Sequence, residues 1–258
     1  MANAPAAGHA LDVLALLAQH SQPLPAGSIA RHLKLPRSST YHLLGVLADR
    51  GFVTHLRGER RYGLGPAAYE LGSAYQRQAP LQRVARAAIA DLADAAKHHA
   101  HFAILHGRDV LYLIEERAPG QPPLVTDVGV RLPAALTASG LAMLATLPPA
   151  QVRALFPDRE ALERRSEHGW PSVAALRSEL AATRGRGYAR EVDLVTSGFS
   201  SVGAAVLDHN GHPAAGIAIT YATSVMDLDR EAILAALVNE TATRLSAQLV
   251  GRPRASDR

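Results

Sequence analysis

The 258-residue chain is 48% hydrophobic and 19% charged, the balance of a globular protein, which excludes wholesale disorder. It contains no cysteine, which removes disulfides, thiolate metal sites and a cysteine nucleophile, and no apolar run approaches the ~20 residues that cross a bilayer, so no membrane partner is expected. The net charge of +4 resides in the first quarter, where residues 1–65 hold seven Lys/Arg against three acids and the remainder balances; a local basic excess of this kind suits a polyanion.

The amino terminus lacks a basic signal-peptide region, and its apolar residues carry helical spacing, so a cytoplasmic protein is expected. Leu11, Val13, Leu14, Leu16 and Leu17 predict a first helix that stops at the turn-rich segment SQPLPAG. A short second helix over about Gly27–Leu33 has Ser28 as a candidate cap, with Ile29, Ala30 and Leu33 on its buried side. Lys34-Leu35-Pro36 breaks it, because proline disfavours helix at the residue before it. A third helix runs from about Arg37 to Asp49, is expected to bury Tyr41, Leu44 and Leu47 or their neighbours, and ends at Gly51. Two short β-like segments follow, Phe52–Leu56 and Arg60–Leu64, joined by Arg57-Gly58-Glu59.

This order is that of a winged helix-turn-helix, whose third helix presents its first residues to the major groove. Arg37, Ser38, Ser39, Thr40 and His42 occupy those positions, Ser28 stands at the start of the preceding helix, and Arg57, Arg60 and Arg61 tip the wing. Hydroxyls reach phosphates or base edges, and arginines reach backbone or minor groove. The competing reading is plainer: Ser38 caps the helix and the arginines are a solvated face.

Pro66 to about Gln78 reads as a connecting helix, and Pro80 as a domain start. Val84–Lys97 is a long amphipathic helix, followed by a hairpin, His101–His106 and Val110–Glu116, about Gly107-Arg108-Asp109. A small-residue helix, Ser139–Leu147, follows the loop Leu132–Ala138, and Ser172–Arg184 is another helix. A second hairpin, Ser201–Asp208 with Ala214–Tyr221, turns on Asn210-Gly211. A last helix covers about Asp229–Leu249 before the tail GRPRASDR. Strand pairs closed by tight turns among helices predict an α+β domain with an antiparallel sheet.

Three stretches bear on chemistry. The TASG segment, Thr137–Gly140, opens a helix, where free amides and the helix dipole suit a carboxylate or carbonyl; small residues there also serve close packing. Gly198–Gly203 misses the G-x-S-x-G nucleophile pattern by one residue and reads as loop-to-strand, which argues against a serine hydrolase. His98, His99 and His101 lack any metal-binding motif, and histidines at a helix–strand junction are expected to be solvated, so no metal, catalytic residue or cofactor is assigned.

Taken together, LPRSSTYHLLGVLADRGFV with YGLG, the segment VGVRLPAALTASGLAMLATLP and the stretch RGYAREVDLVTSGFSSVGAAVLDHNGHPAAGIAITY resemble the IclR-type (isocitrate lyase regulator) transcription regulators, from Ala10 to Tyr221. The resemblance implies a winged helix-turn-helix at residues 1–65, a linker helix at 66–80, an α+β effector-binding domain at 81–250 and a flexible tail at 251–258. It implies a homodimer or homotetramer that binds double-stranded operator DNA, as the repressor or activator of a catabolic operon, under control of a small carboxylate or related aromatic acid or amide. Carried over by motif, the effector pocket comprises Leu124, Leu132, Ala138, Ser139, Glu191, Phe199, Ser201, Ala218 and Thr220, with Phe199 placed to stack on a flat ligand. The chain departs from the family at His42, where arginine is usual, at Leu141, where lysine usually follows the glycine, and at Ser201, where cysteine is common. The alternative is a small-molecule hydrolase or binding module whose N-terminal helices serve only assembly.

Overall fold

The computed structural model describes residues 4–20, 22–78, 80–124, 126–163, 169–225 and 227–250. The tail expected at 251–258 lies outside them. Contacts divide the chain into two units, Met1–Ala79 and Pro80–Arg258.

In the first unit α1 (Pro5–Ala18), α2 (Ala26–Leu33) and α3 (Arg37–Asp49) surround one small core. Val13, Leu16 and Leu17 from α1 meet Ile29 from α2 and Leu44 and Leu47 from α3, spacings that place each set on one helical stripe. Pro25 stands at the start of α2, so Ser28 lies inside the helix rather than capping it. Lys34 closes α2 in the left-handed conformation, and Pro36 precedes α3, which gives the tight turn between the two helices. A three-stranded antiparallel sheet in the order β1-β3-β2 completes the unit, with β1 (Leu24–Pro25), β2 (Val53–Leu56) and β3 (Arg61–Leu64). Helix α4 (Pro66–Gln78) follows.

The second unit is a six-stranded antiparallel sheet in the order β6-β5-β4-β9-β8-β7. Its strands are β4 (His99–His106), β5 (Asp109–Glu116), β6 (Arg131–Pro133), β7 (Ala189–Val192), β8 (Phe199–Leu207) and β9 (Pro213–Ala222). Helices α5 (Pro80–Ala96) and α9 (Leu228–Val250) cover one face, over Ala100, Phe102, Val202, Ala204, Ile217 and Ile219. Helix α6 (Ala138–Thr146) covers the other, backed by α7 (Pro149–Leu155) and α8 (Val173–Arg186). The period-2 alternation of β8 and β9 supplies both faces at once.

Two details position the site. The start of α6 lies directly on the sheet, because a Cβ on Gly203 would come within 2.7 Å of the Ala138 carbonyl carbon, and one on Gly216 would collide with the Ser139 carbonyl oxygen. A register shift between Phe102 and Ala103 pairs Phe102 with Ile114 but Ala103 with Tyr112. That bulge turns Tyr112 to the α6 face while Ile114 stays on the α5/α9 face.

Candidate functional sites

On α3 the residues that face the core are Thr40, Leu44 and Leu47, not Tyr41. Thr40 is 0% exposed and its hydroxyl donates to the Pro36 carbonyl at 3.0 Å, so it is a packing residue and not a DNA contact. Tyr41, expected in the core, is instead 57% exposed. Its neighbour Thr40 takes the core position through the helix phase: Thr40, four residues before Leu44, shares its stripe, and Tyr41 does not. Arg37, Ser38, Ser39 and His42 are exposed beside Tyr41. No side chain caps α3, so the Ser38 hydroxyl is left to the outer face.

On the wing Arg57 and Arg60 are exposed, with Arg60 in the left-handed conformation at the turn. Arg61 is also exposed, but its guanidinium donates to the Pro23 carbonyl at 3.1 Å and ties β3 to the segment before β1. Ser28 is half-buried and accepts from Arg31 at 3.2 Å, which turns its oxygen toward its own helix. His55 stacks on Tyr62 with ring centroids 4.3 Å apart and stiffens the hairpin.

In the second unit a cavity of about 30 Å³ lies on the α6 face of the sheet, where α6 begins. Its floor is a row across three paired strands: Glu191 on β7 opposes Ser201 on β8, which opposes Thr220 on β9. The Ser201 and Thr220 hydroxyls are 2.9 Å apart, and Ala218 lies beside them. Tyr112, Thr137 and Ala138 form one wall, and Leu124, Thr126, Val195, Thr196 and Phe199 enclose the rest. Of the residues carried over from the resemblance, Leu132 and Ser139 do not line it. Leu132 packs into the core against α6, and the Ser139 side chain, 0% exposed, is held where α6 meets the sheet. Reasoning from sequence missed Tyr112, Thr126, Thr137, Val195 and Thr196.

A water needs ~10–15 Å³ of such space, and the cavity without ligand holds about 30 Å³. The TASG segment serves the close packing open to it. Gly140 packs against Ala134, and its N–H donates to the Thr137 hydroxyl at 3.0 Å, which caps α6. Among the described residues the Ala138 and Ser139 amides have no such partner.

Glu191 is only 4% exposed, and its Oε1 accepts from the N–H groups of Leu194 at 2.7 Å and Val195 at 3.4 Å. Burial nevertheless pushes its carboxyl up to about 7, against the effect of those donors. Burial likewise pushes the Tyr112 phenol up. The Thr126 hydroxyl oxygen is buried, lines the cavity and has no hydrogen-bond partner, a state that a ligand or water relieves.

The histidines are not solvated as expected. The backbone N–H of Ala118 donates to His99 Nδ1 at 3.2 Å, which places the proton on Nε2, and Nε2 donates to the Pro122 carbonyl at 2.8 Å. His99 thereby holds the segment that leads to Leu124 and Thr126. His101 is 1% exposed, meets the Tyr112 ring edge-on at 5.5 Å and is pushed down to about 3 by burial. No metal-binding cluster occurs among the described residues. Ser200 and Ser201 lie within the continuous strand β8, not on a strand-to-helix elbow.

The IclR helix-turn-helix domain family model matches residues 6–57, and the model for the C-terminal region of bacterial IclR transcriptional regulators matches residues 73–247. The HTH-type transcriptional regulator BhcR of Paracoccus denitrificans is 31% identical over 251 residues, 96% of this chain and 88% of its own. An IclR-type regulator from Alicyclobacillus acidocaldarius has the same fold at a TM-score of 0.85, with 23% identity and coverage of 95% and 99% of the two chains. An IclR homologue from Microbacterium hydrocarbonoxydans, solved with 4-hydroxybenzoate, superposes at a TM-score of 0.80, with 20% identity and coverage of 95% and 98%. The two family models together account for both units, and the chain belongs to the IclR family of bacterial transcriptional regulators, which are DNA-binding proteins and not enzymes.

Proposed function

We propose that the protein is a cytoplasmic, homo-oligomeric repressor of a catabolic operon, released from its operator by a small metabolite. Arg37, Ser38, Ser39, Tyr41 and His42 at the start of α3 read the major groove, and Arg57 and Arg60 on the wing hold phosphate. The basic excess of residues 1–65 supports this assignment. Pairing of two copies doubles contacts that are too few in one half-site for operator affinity. The metabolite occupies the cavity over Glu191, Ser201 and Thr220.

The observation that carries the effector reading is the cavity itself. Six of its lining residues bear hydroxyls and one a carboxyl, and one of those hydroxyls is buried without a partner. Polar groups that converge on a small cavity are the usual form of a ligand site. The ligand acts only if it binds the DNA-competent and released states unequally. The test is selection of binding sites from random duplex DNA, followed by affinity measurements over a salt series with and without candidate metabolites. A steep salt dependence and a pseudo-palindromic site are expected; retention of no duplex at low salt refutes the operator assignment.

A further inference from the structure

Resting on the assignment of the cavity as the effector site, we propose that this site takes its ligand in electrically neutral form. An uncharged hydroxyl- or amide-bearing molecule enters directly, and an acid enters only with a proton held by Glu191 or shared with it.

The geometry forces the two charges together. The Glu191 carboxyl is part of the cavity floor, and the space above it is about 30 Å³. A carboxylate ligand that reaches the Ala138 amide at the start of α6 therefore still lies close to Glu191. At a separation of roughly 5 Å and an effective dielectric near 20, two carboxylates lose about two orders of magnitude in affinity relative to a neutral pair. The shared-proton carboxyl pair is the usual resolution of that conflict.

The surrounding groups act in the same direction. Asp193, in the turn after β7, adds negative charge, and the phenol of Tyr112 on β5 is held neutral by burial. Arg190, next to Glu191 in sequence, turns to the other face of the sheet, where it donates to Glu231 at 2.8 Å. Among the described residues no lysine, arginine or histidine lines the cavity. What the lining offers is hydroxyls: Thr137 and Thr126 on one side, Ser201 and Thr220 on the floor. Hydroxyls bind a neutral donor–acceptor ligand without compensating a charge. The carboxyl of Glu191, raised by burial, is already partly protonated near neutral pH, so the required proton is at hand.

The experiment compares two-carbon and three-carbon acids with their amides on the full chain: glycolate with glycolamide, and lactate with lactamide. Calorimetric titrations are run at about pH 6 and about pH 8.5, each in two buffers of different ionisation heat. Above pH 7 the acids are expected to lose about tenfold in affinity per pH unit and to take up a proton from the buffer, while the amides keep their affinity. In Glu191→Gln the acids are expected to bind with no pH dependence and no proton uptake. If wild type binds the acids equally at both pH values without proton uptake, the neutrality proposal is overturned and the cavity remains a ligand site. If no compound of either class binds wild type, the effector-site assignment falls, and the proposal with it. The buffer comparison on wild type decides the matter even where the variant fails to fold.

Discussion

Replacement of Gly203 by alanine tests whether close contact between β8 and α6 sets the shape of the cavity. The new Cβ would lie 2.7 Å from the Ala138 carbonyl carbon and 2.8 Å from its oxygen, and 3.0 Å from the Ile217 carbonyl oxygen. All three atoms are backbone, so no side chain can rotate away. Relief to ordinary contact needs a displacement of roughly half an ångström to one ångström, and overpacking of this kind costs about 1–3 kcal/mol. For a unit of this size each kcal/mol lowers Tm by about 2–4 °C, so scanning calorimetry should place the variant roughly 2–12 °C below wild type. Because Ala138 is itself a cavity wall, the displaced helix should also weaken ligand binding, whereas affinity for DNA without ligand should be unchanged. Wild-type Tm together with wild-type ligand affinity would refute the argument.

Thr40→Val should leave operator affinity unaltered while lowering stability by about 1 kcal/mol through the lost hydroxyl–carbonyl bond, whereas Tyr41→Ala should weaken operator binding at unchanged Tm; gel-shift and melting curves on both variants separate the roles. The double variant Arg57→Ala, Arg60→Ala should flatten the slope of log affinity against log salt by about one unit per lost phosphate contact, and an unaltered slope removes the wing from the interface. Glu191 and His101 should impose opposite pH dependences on stability. The Glu191 carboxyl is raised from its ordinary 4.5 to about 7, so the folded state holds a proton that the unfolded state has released, and stability falls as pH rises across that window. The His101 ring is lowered from 6.5 to about 3, so the unfolded state holds the extra proton, and stability is lost as pH falls from 6.5 toward 3. Where the windows overlap the two slopes cancel. His101→Phe should therefore reveal a decline of about 1.4 kcal/mol per pH unit, and Glu191→Gln a rise of similar size, in chemical denaturation at stepped pH; parallel profiles in all three proteins would contradict both assignments.

Elements with their own periodicity were legible in the sequence. Helix α3 spans Arg37–Asp49 as its spacing predicts, and both hairpins lie where their turn residues place them. Strands β1 and β6, of two and three residues, were not, because so short a segment shows no alternation and exists only through its neighbour's hydrogen bonds, and in β7 the adjacent polar residues Arg190 and Glu191 break the alternation. Within the cavity Glu191, Phe199, Ser201, Ala218 and Thr220 were reached by likeness of motif. Tyr112 was out of reach for a specific reason: strict alternation puts it on the same face as Ile114, and only the bulge at Phe102/Ala103 reverses it. His101 was read as solvated because the sequence cannot show that α6 and the Tyr112 ring cover its strand face.

Thr137 ties two parts of this domain together with consequences for how such a regulator diversifies. Its hydroxyl oxygen starts α6 by accepting from Gly140, and the same residue lines the cavity. The glycines beneath α6 leave no space for larger side chains, and Ser201 and Thr220 are bonded to each other. A change at this floor therefore disturbs the helix, the sheet and the cavity at once. Leu124, Val195 and Thr196, by contrast, belong to connecting segments outside the helices and strands. On the proposed effector reading, a lineage that acquires a new ligand is expected to vary these positions first and to retain the hydroxyl floor.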